Sequence, residues 1–182
     1  MQSTRSANLP ASRPAVQLMV IVILILVFIA VAAQRIWQLR IVAEQTAVTR
    51  MIGTLRSAVG AQVMERILHG GPAAVADMEH ADPMQYLDPK PANFESTTNP
   101  VPPEQMIPYR WYYDTADGIL TYRVGNEAYL DTPLAGPARI RLQLQLHYQD
   151  RNGNGRYDPD LDGLGSINLV VLDPFQWREP GK

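Results

Sequence analysis

The sequence predicts an α+β protein: a single N-terminal transmembrane helix that continues as a long amphipathic helix and packs on a four-stranded antiparallel sheet. Three features predict it. An unbroken apolar run covers Leu18 to Ala33, and no Gly or Pro follows Pro14 until Gly53. Apolar residues then recur at steps of three and four from Val48 to Ile67, and after Tyr109 the apolar period changes to two.

Between Ala15 and Ala33 only Gln17 is polar. Nineteen helical residues reach roughly 28 Å, against a hydrocarbon core of about 30 Å. A helix satisfies its own backbone groups in lipid, so one crossing at 15–33 is the expectation. Residues 1–14, rich in Ser, Ala and Pro, read as a flexible cytoplasmic tail. A cleaved secretory signal is the competing reading, because Arg5 and Arg13 precede the run and Ala30-Val31-Ala32 resembles a small-residue cleavage site. An uncleaved anchor fits better, since nothing breaks the helix before Arg35. Arg35 and Arg40 on the far side leave the positive-inside count undecided. A short tail inside and the long remainder outside is the simpler topology, which in a bacterium means an inner-membrane anchor and a periplasmic head.

The chain carries a formal net charge of −2 and no cysteine. Disulfides, thiolate catalysis and Cys-ligated zinc are thereby excluded. No basic cluster or aromatic ladder tracks a phosphate backbone, so nucleic acid is not an expected partner. Ser is sparse, with no Gly-x-Ser-x-Gly and no P-loop, so acyl and phosphoryl transfer have no visible machinery and no small-molecule substrate is expected.

Residues 34–70 read as a helical extension of the span. Val48, Ile52, Leu55, Val59, Val63 and Ile67 mark one apolar face, Arg50, Arg56, Gln62 and Arg66 occupy the other, and Gly70-Gly71-Pro72 ends the helix. Such a stripe serves either packing onto its own domain or a coiled coil with another subunit. Gln45, Gln62 and Arg66 break the heptad and favour the first. Gly53 and Gly60, seven apart, are places where another backbone can approach.

Residues 71–109 hold eight of the fifteen prolines and read as a long connecting loop, with one or two helical turns over Ala73–Glu79. Residues 110–182 read as the sheet head. Arg110–Tyr113 and Ile119–Val124 flank Thr115-Ala116-Asp117-Gly118, whose Asp-Gly predicts a hairpin. In the third strand Ile140, Leu142, Leu144, Leu146 and Tyr148 alternate with Arg139, Arg141, Gln143, Gln145 and His147. Ile167–Leu172 makes a fourth, and the stripe of Val48 to Ile67 is the only element long enough to cover the sheet. Trp111, Tyr112, Tyr113 and Tyr122 are expected to stitch strands and fill the core rather than form an exposed binding patch.

The loop 150–165 holds the one constellation with metal-ligand spacing. Counting from Asp150, oxygen side chains fall at positions one, three, five and nine (Asp150, Asn152, Asn154, Asp158), with Arg156 at seven and Gly155 at the bend. Asp158, Asp160 and Asp162 begin a second half-motif. Alternating oxygens converge on a hard cation as such a loop curls, so Ca2+ is the candidate cofactor and its role structural. Leu161 and Leu169 stand where the bidentate Glu belongs, and Arg151 and Arg156 offset part of the charge. The same Asn-Gly and Asp-Gly pairs also suit tight polar turns, and both readings stay open. His69, His80 and His147 show no ligand spacing and read as surface or capping residues.

Asp82-Pro83-Met84 with Leu87, Pro91-Ala92-Asn93-Phe94, Trp111-Tyr112-Tyr113-Asp114 and Gly118 to Val124 follow one another along the chain. With the anchored helix and antiparallel sheet, these phrases resemble type IV pilins and type II secretion pseudopilins, and most of all the pilin-like accessory proteins of mannose-sensitive haemagglutinin (MSHA) pilus systems. The resemblance implies a non-enzymatic component of pilus biogenesis whose partners are pilins or assembly-platform proteins. Prepilin peptidase recognises a Gly before the apolar stretch and a Glu at its fifth position; neither exists here. The resemblance therefore implies a subunit that keeps its tail and stays anchored. A pseudopilin-like subunit, or a periplasmic calcium-binding interaction domain unrelated to pili, are the alternatives.

Overall fold

The structure is a computed structural model that describes residues 13–158 and 161–180. It contains one long helix, α1 (Arg13–Gly70), followed by seven short strands and four 3-10 turns. The chain divides into two compact units, one up to Arg40 and one from Ile41 onward. In the first, the helix is apolar enough to cross a membrane by length and composition, and no part of its apolar window is buried. Every large apolar side chain from Val16 to Ile29 stands exposed, Phe28 most of all.

In the second unit the same helix becomes the centre of a core. Ile41, Val48, Ile52, Leu55 and Val59 are buried at steps of three to seven residues, with Met51, Val63 and Ile67 packed at the margin. The stripe covers its own domain, as expected, and the cover begins at Ile41, seven residues before Val48. The helix stops where Gly71 turns left-handed (φ 72°) and its N–H returns to the Ile67 carbonyl.

The covered surface is a sheet of β1 (Phe94–Thr97), β2 (Arg110–Asp114), β3 (Ile119–Arg123), β5 (Arg139–Gln149) and β6 (Gly163–Val171), in the order β1-β2-β3-β5-β6. Between β3 and β5 lies β4 (Leu130–Asp131), which pairs with β7 (Gln176–Trp177) outside the main sheet. The expectation of four antiparallel strands is corrected to five, because β1 joins β2 in parallel, Phe94 facing Trp111. Its four residues lie in the segment read as a connecting loop, between Pro91 and Pro100. A short edge strand needs no alternation of its own, since one face of it packs and its outer groups meet solvent. β6 also begins four residues before the expected Ile167.

The other connections follow the sequence closely. At the β2–β3 hairpin Gly118 adopts φ 64° and its N–H donates to the Asp114 carbonyl. A side chain there would strike the His80 backbone, so this turn also seats the preceding segment. That Pro-rich segment is plastered over the core: Pro72–Met78 and Pro83–Tyr86 form 3-10 turns that bury Val75, Met78, Pro83 and Met84. Asp82 caps the second by accepting the Met84 N–H at 2.9 Å. Opposite α1 the sheet contributes Trp111, Leu120, Tyr122, Ile140, Leu142, Leu144, Ile167 and Leu169. Trp111 and Tyr122 touch across strands with ring centroids 4.8 Å apart.

Leu55 is completely buried at the middle of the stripe. Truncation to Ala is expected to cost about 3 kcal/mol, measured as a lowered urea midpoint of the full chain in detergent with an unchanged slope.

Candidate functional site

The loop between β5 and β6 curls as its sequence implies, and its own backbone fills it. Asp150 accepts the N–H of Gly153 at 2.6 Å and that of Gly155 at 2.8 Å, both glycines having positive φ. These backbone donors, Gly155 foremost, hold the Asp150 carboxyl below the usual carboxylate range. Asn152 accepts from the Asn154 N–H and Asn154 from the Arg156 N–H, two consecutive Asx turns. The Nδ2 groups of Asn152 and Asn154 both donate to Oδ2 of Asp158, at 2.8 and 3.0 Å.

Asp162 closes the base of the loop. It is buried, accepting the Arg151 N–H on one oxygen and the Asp158 N–H on the other. Asp150, Asn152, Asn154, Arg156, Asp158 and Asp162 are therefore in one loop, while Asp160 lies outside the described residues. Among the described residues no group of three or more His, Asp or Glu side chains is positioned to hold a metal. The bonds that are present are those of a polar turn. Tyr157 folds back edge-on to Tyr148, with centroids at 5.5 Å, and ties the loop to β5.

A second polar constellation escaped the sequence reading. Glu44 lies in phase with Ile41 and Val48 on the buried stripe, and only 6% of its surface is exposed. One oxygen, Oε1, accepts the Tyr122 hydroxyl at 3.1 Å and the Gly125 N–H at 2.7 Å. The other, Oε2, accepts the Asn126 N–H at 2.9 Å and the Asn126 Nδ2 at 2.6 Å. The carboxylate thus gathers four donors from β3 and the turn that follows it. Burial, and then the adjacent Glu44 charge, push the Tyr122 hydroxyl far above its ordinary range, so it stays a donor. The Tyr109 ring lies against Gly125, where no Cβ fits. Tyr109 itself has φ 65°, held there by its N–H to the Arg123 carbonyl and by Asn93 Nδ2 to its own carbonyl. The phase of Glu44 was the available signal: a carboxylate four residues before Val48 occupies a core position.

The opposite face of the sheet carries a row of like charges. Arg110, Arg123 and Arg139 are direct cross-strand neighbours, an arrangement that is unfavourable unless each cation is answered separately. Arg123 is buried and reaches Glu127 at 2.6 Å, a bond that holds the Glu127 carboxyl low. Arg110 lies 3.6 Å from Glu95, and Arg139 donates to the Ala135 and Pro137 carbonyls. One step along the same face, Arg141 makes a two-pronged pair with Asp173 at 2.7 and 2.8 Å. Arg178 and Asp131 form a similar pair across β4 and β7. These pairs knit strands and connecting segments together. The three histidines are dispersed: His69 Nδ1 meets the Glu65 carbonyl, the His80 N–H donates to Leu144, and His147 stands exposed on β5. Trp111, Tyr112, Tyr113 and Tyr122 are all buried.

No protein-family model matches the chain, and no curated protein or solved structure matches it.

Replacing Glu44 by Gln exchanges two acceptor oxygens for one and turns an amide N–H2 toward backbone donors. The expected loss is about 3 kcal/mol, or about 10 °C in the melting temperature of a domain this size, read by thermal unfolding of the detergent-solubilised chain.

Proposed function

We propose that this chain is a non-enzymatic, anchored subunit of a bacterial pilus or type II secretion apparatus, of the MSHA-like kind, and that it acts through protein contacts. In this reading residues 15–33 lie in the inner membrane, the N-terminus is cytoplasmic and the β-rich head is periplasmic. The observation that carries it is the double use of one helix. α1 presents bare apolar side chains from Val16 to Ile29 and, without interruption, supplies Ile41 to Val59 as the core of the head. Anchor and head are thus one continuous element, the construction that pilin-like subunits share.

In-cell cross-linking through the head, in a host that assembles a type IV pilus or type II pseudopilus, is expected to recover pilins or assembly-platform proteins covalently joined to this chain. Recovery of neither, with the chain present in the inner membrane, overturns the reading.

A calcium role for the 150–162 loop is a second reading, favoured by one observation. The side chains of Asn152 and Asn154 converge on Asp158 within 3.0 Å, and cation ligation by their oxygens requires both amides to turn over and give up the Asn154 and Arg156 N–H bonds. Millimolar Ca2+ is then expected to raise the melting temperature, and Asp150→Ala combined with Asp158→Ala to abolish the rise. An unchanged melting temperature removes the metal from the account.

A further inference from the structure

The sheet has two edges, and they are unlike. β1 is four residues long, whereas β6 runs for nine, Gly163 to Val171; its ladder with β5 is irregular at Gly165, and the regular stretch from Ser166 to Val171 holds no proline or charged side chain. Soluble proteins normally blunt such an edge with Lys, Pro, a bulge or a cover, because a row of open backbone groups invites another strand. The register identifies which groups are open. Leu172 N–H donates to the Arg141 carbonyl, and the β5–β6 ladder pairs Leu142 with Val171, Leu144 with Leu169 and Leu146 with Ile167. In an antiparallel ladder the bonded and non-bonded pairs alternate, so Ser166, Asn168 and Val170 face β5 with their backbone groups. The N–H and C=O of Ile167, Leu169 and Val171 therefore point away from the sheet.

Beside this edge runs a cleft of about 340 Å³, lined by Ile167, Asn168 and Leu169 on the strand and by Arg56, Val59 and Gly60 on α1. A side chain on Gly60 would meet no atom within 4 Å, and Arg56 is exposed and makes no ion pair among the described residues. Strand, cleft and cation together define what fits: backbone bonds for an extended chain, an apolar slot for every second side chain, and a positive charge awaiting a carboxylate.

We propose that β6 is a docking edge for an extended, acidic segment of a partner protein, which adds to the sheet as an antiparallel or parallel sixth strand and places a carboxylate on Arg56. This deepens the reading of the chain as an assembly subunit and rests on it only for the identity of the partner. Binding by strand addition draws its strength from main-chain bonds and its selectivity from alternate side chains. The uncharged edge suits this, because the cation that selects the partner sits on the helix and not on the strand.

The probe is a fluorescent eight-residue peptide of alternating valines and polar residues, two of them Glu, added to the full chain in detergent. Its polarisation is expected to rise on binding. Replacing both Glu by Lys is expected to weaken binding at least tenfold, as is Arg56→Glu in the protein. Gly60→Trp, which fills the cleft, is expected to abolish it. Gly53→Trp, equally free of neighbours within 4 Å but outside the cleft, is expected to leave it unchanged. Hydrogen exchange supplies a second reading: the peptide is expected to slow the amides of Ile167, Leu169 and Val171. Absence of binding, binding indifferent to Gly60→Trp and to the Glu-to-Lys exchange, or peptide-bound protein with those three amides still exchanging freely each overturns the proposal. Because the peptide assay uses no pilus or secretion protein, its failure is separate from a failure of the assembly reading, which the cross-linking decides.

Discussion

The structure of the head depends on one buried carboxylate. Glu44 sits on the core side of a helix whose other buried positions are aliphatic, and it is tolerated because four donors converge on it from β3 and the turn of Gly125 and Asn126. A buried anion without such partners costs several kcal/mol and one with them stays in place. The consequence is positional. Hydrophobic burial of Val48, Ile52, Leu55 and Val59 drives the helix onto the sheet but is indifferent to a slide of one turn, whereas the Glu44 oxygens fit one axial position and one rotation. Tyr109 and Gly125 belong to the same arrangement, because the ring occupies the space a Gly125 side chain would need while the Gly125 N–H donates to Glu44.

That constraint gives the two-unit chain its character. From Val16 to Ile29 the large apolar side chains of the helix are exposed, and from Ile41 onward it cannot be separated from the sheet without exposing a core. The opposite face of the sheet is organised by charge. Three arginines stand side by side on β2, β3 and β5, and each is answered by a different group: Glu95, Glu127, or the carbonyls of Ala135 and Pro137. Arg141 with Asp173 adds a two-pronged pair that ties the segment after β6 to the sheet. Burial on one face and paired cations on the other leave the open backbone groups of the sheet at its two edges, β1 and the longer β6.

Much of this was legible in the residues, for physical reasons that differ by element. The helix stripe was readable because its spacing repeats over many turns, and β5 because eleven residues alternate strictly. The hairpin was readable because Asp117-Gly118 requires a left-handed turn, and Gly118 adopts it. β1 was not: four residues between prolines carry no period, and its partner in the ladder lies seventeen positions away, Phe94 against Trp111. Glu44 was not singled out, because the donors that bury it come from residues 122 to 126, which no local pattern connects to it. The 150–162 loop is a third kind of case. Side chains of Asp and Asn at every second position serve Asx turns and cation ligation equally, so spacing alone leaves both open, and the bonds observed are those of the turns.

The claim that Glu44 and the β3 turn act as one unit is tested most directly by a double-mutant cycle between Glu44→Gln and Tyr122→Phe, measured by urea unfolding of the full chain. The two groups share a hydrogen bond, so the account predicts a coupling of about 1 kcal/mol or more. Additive losses, or a Glu44→Gln variant as stable as the parent, would contradict it.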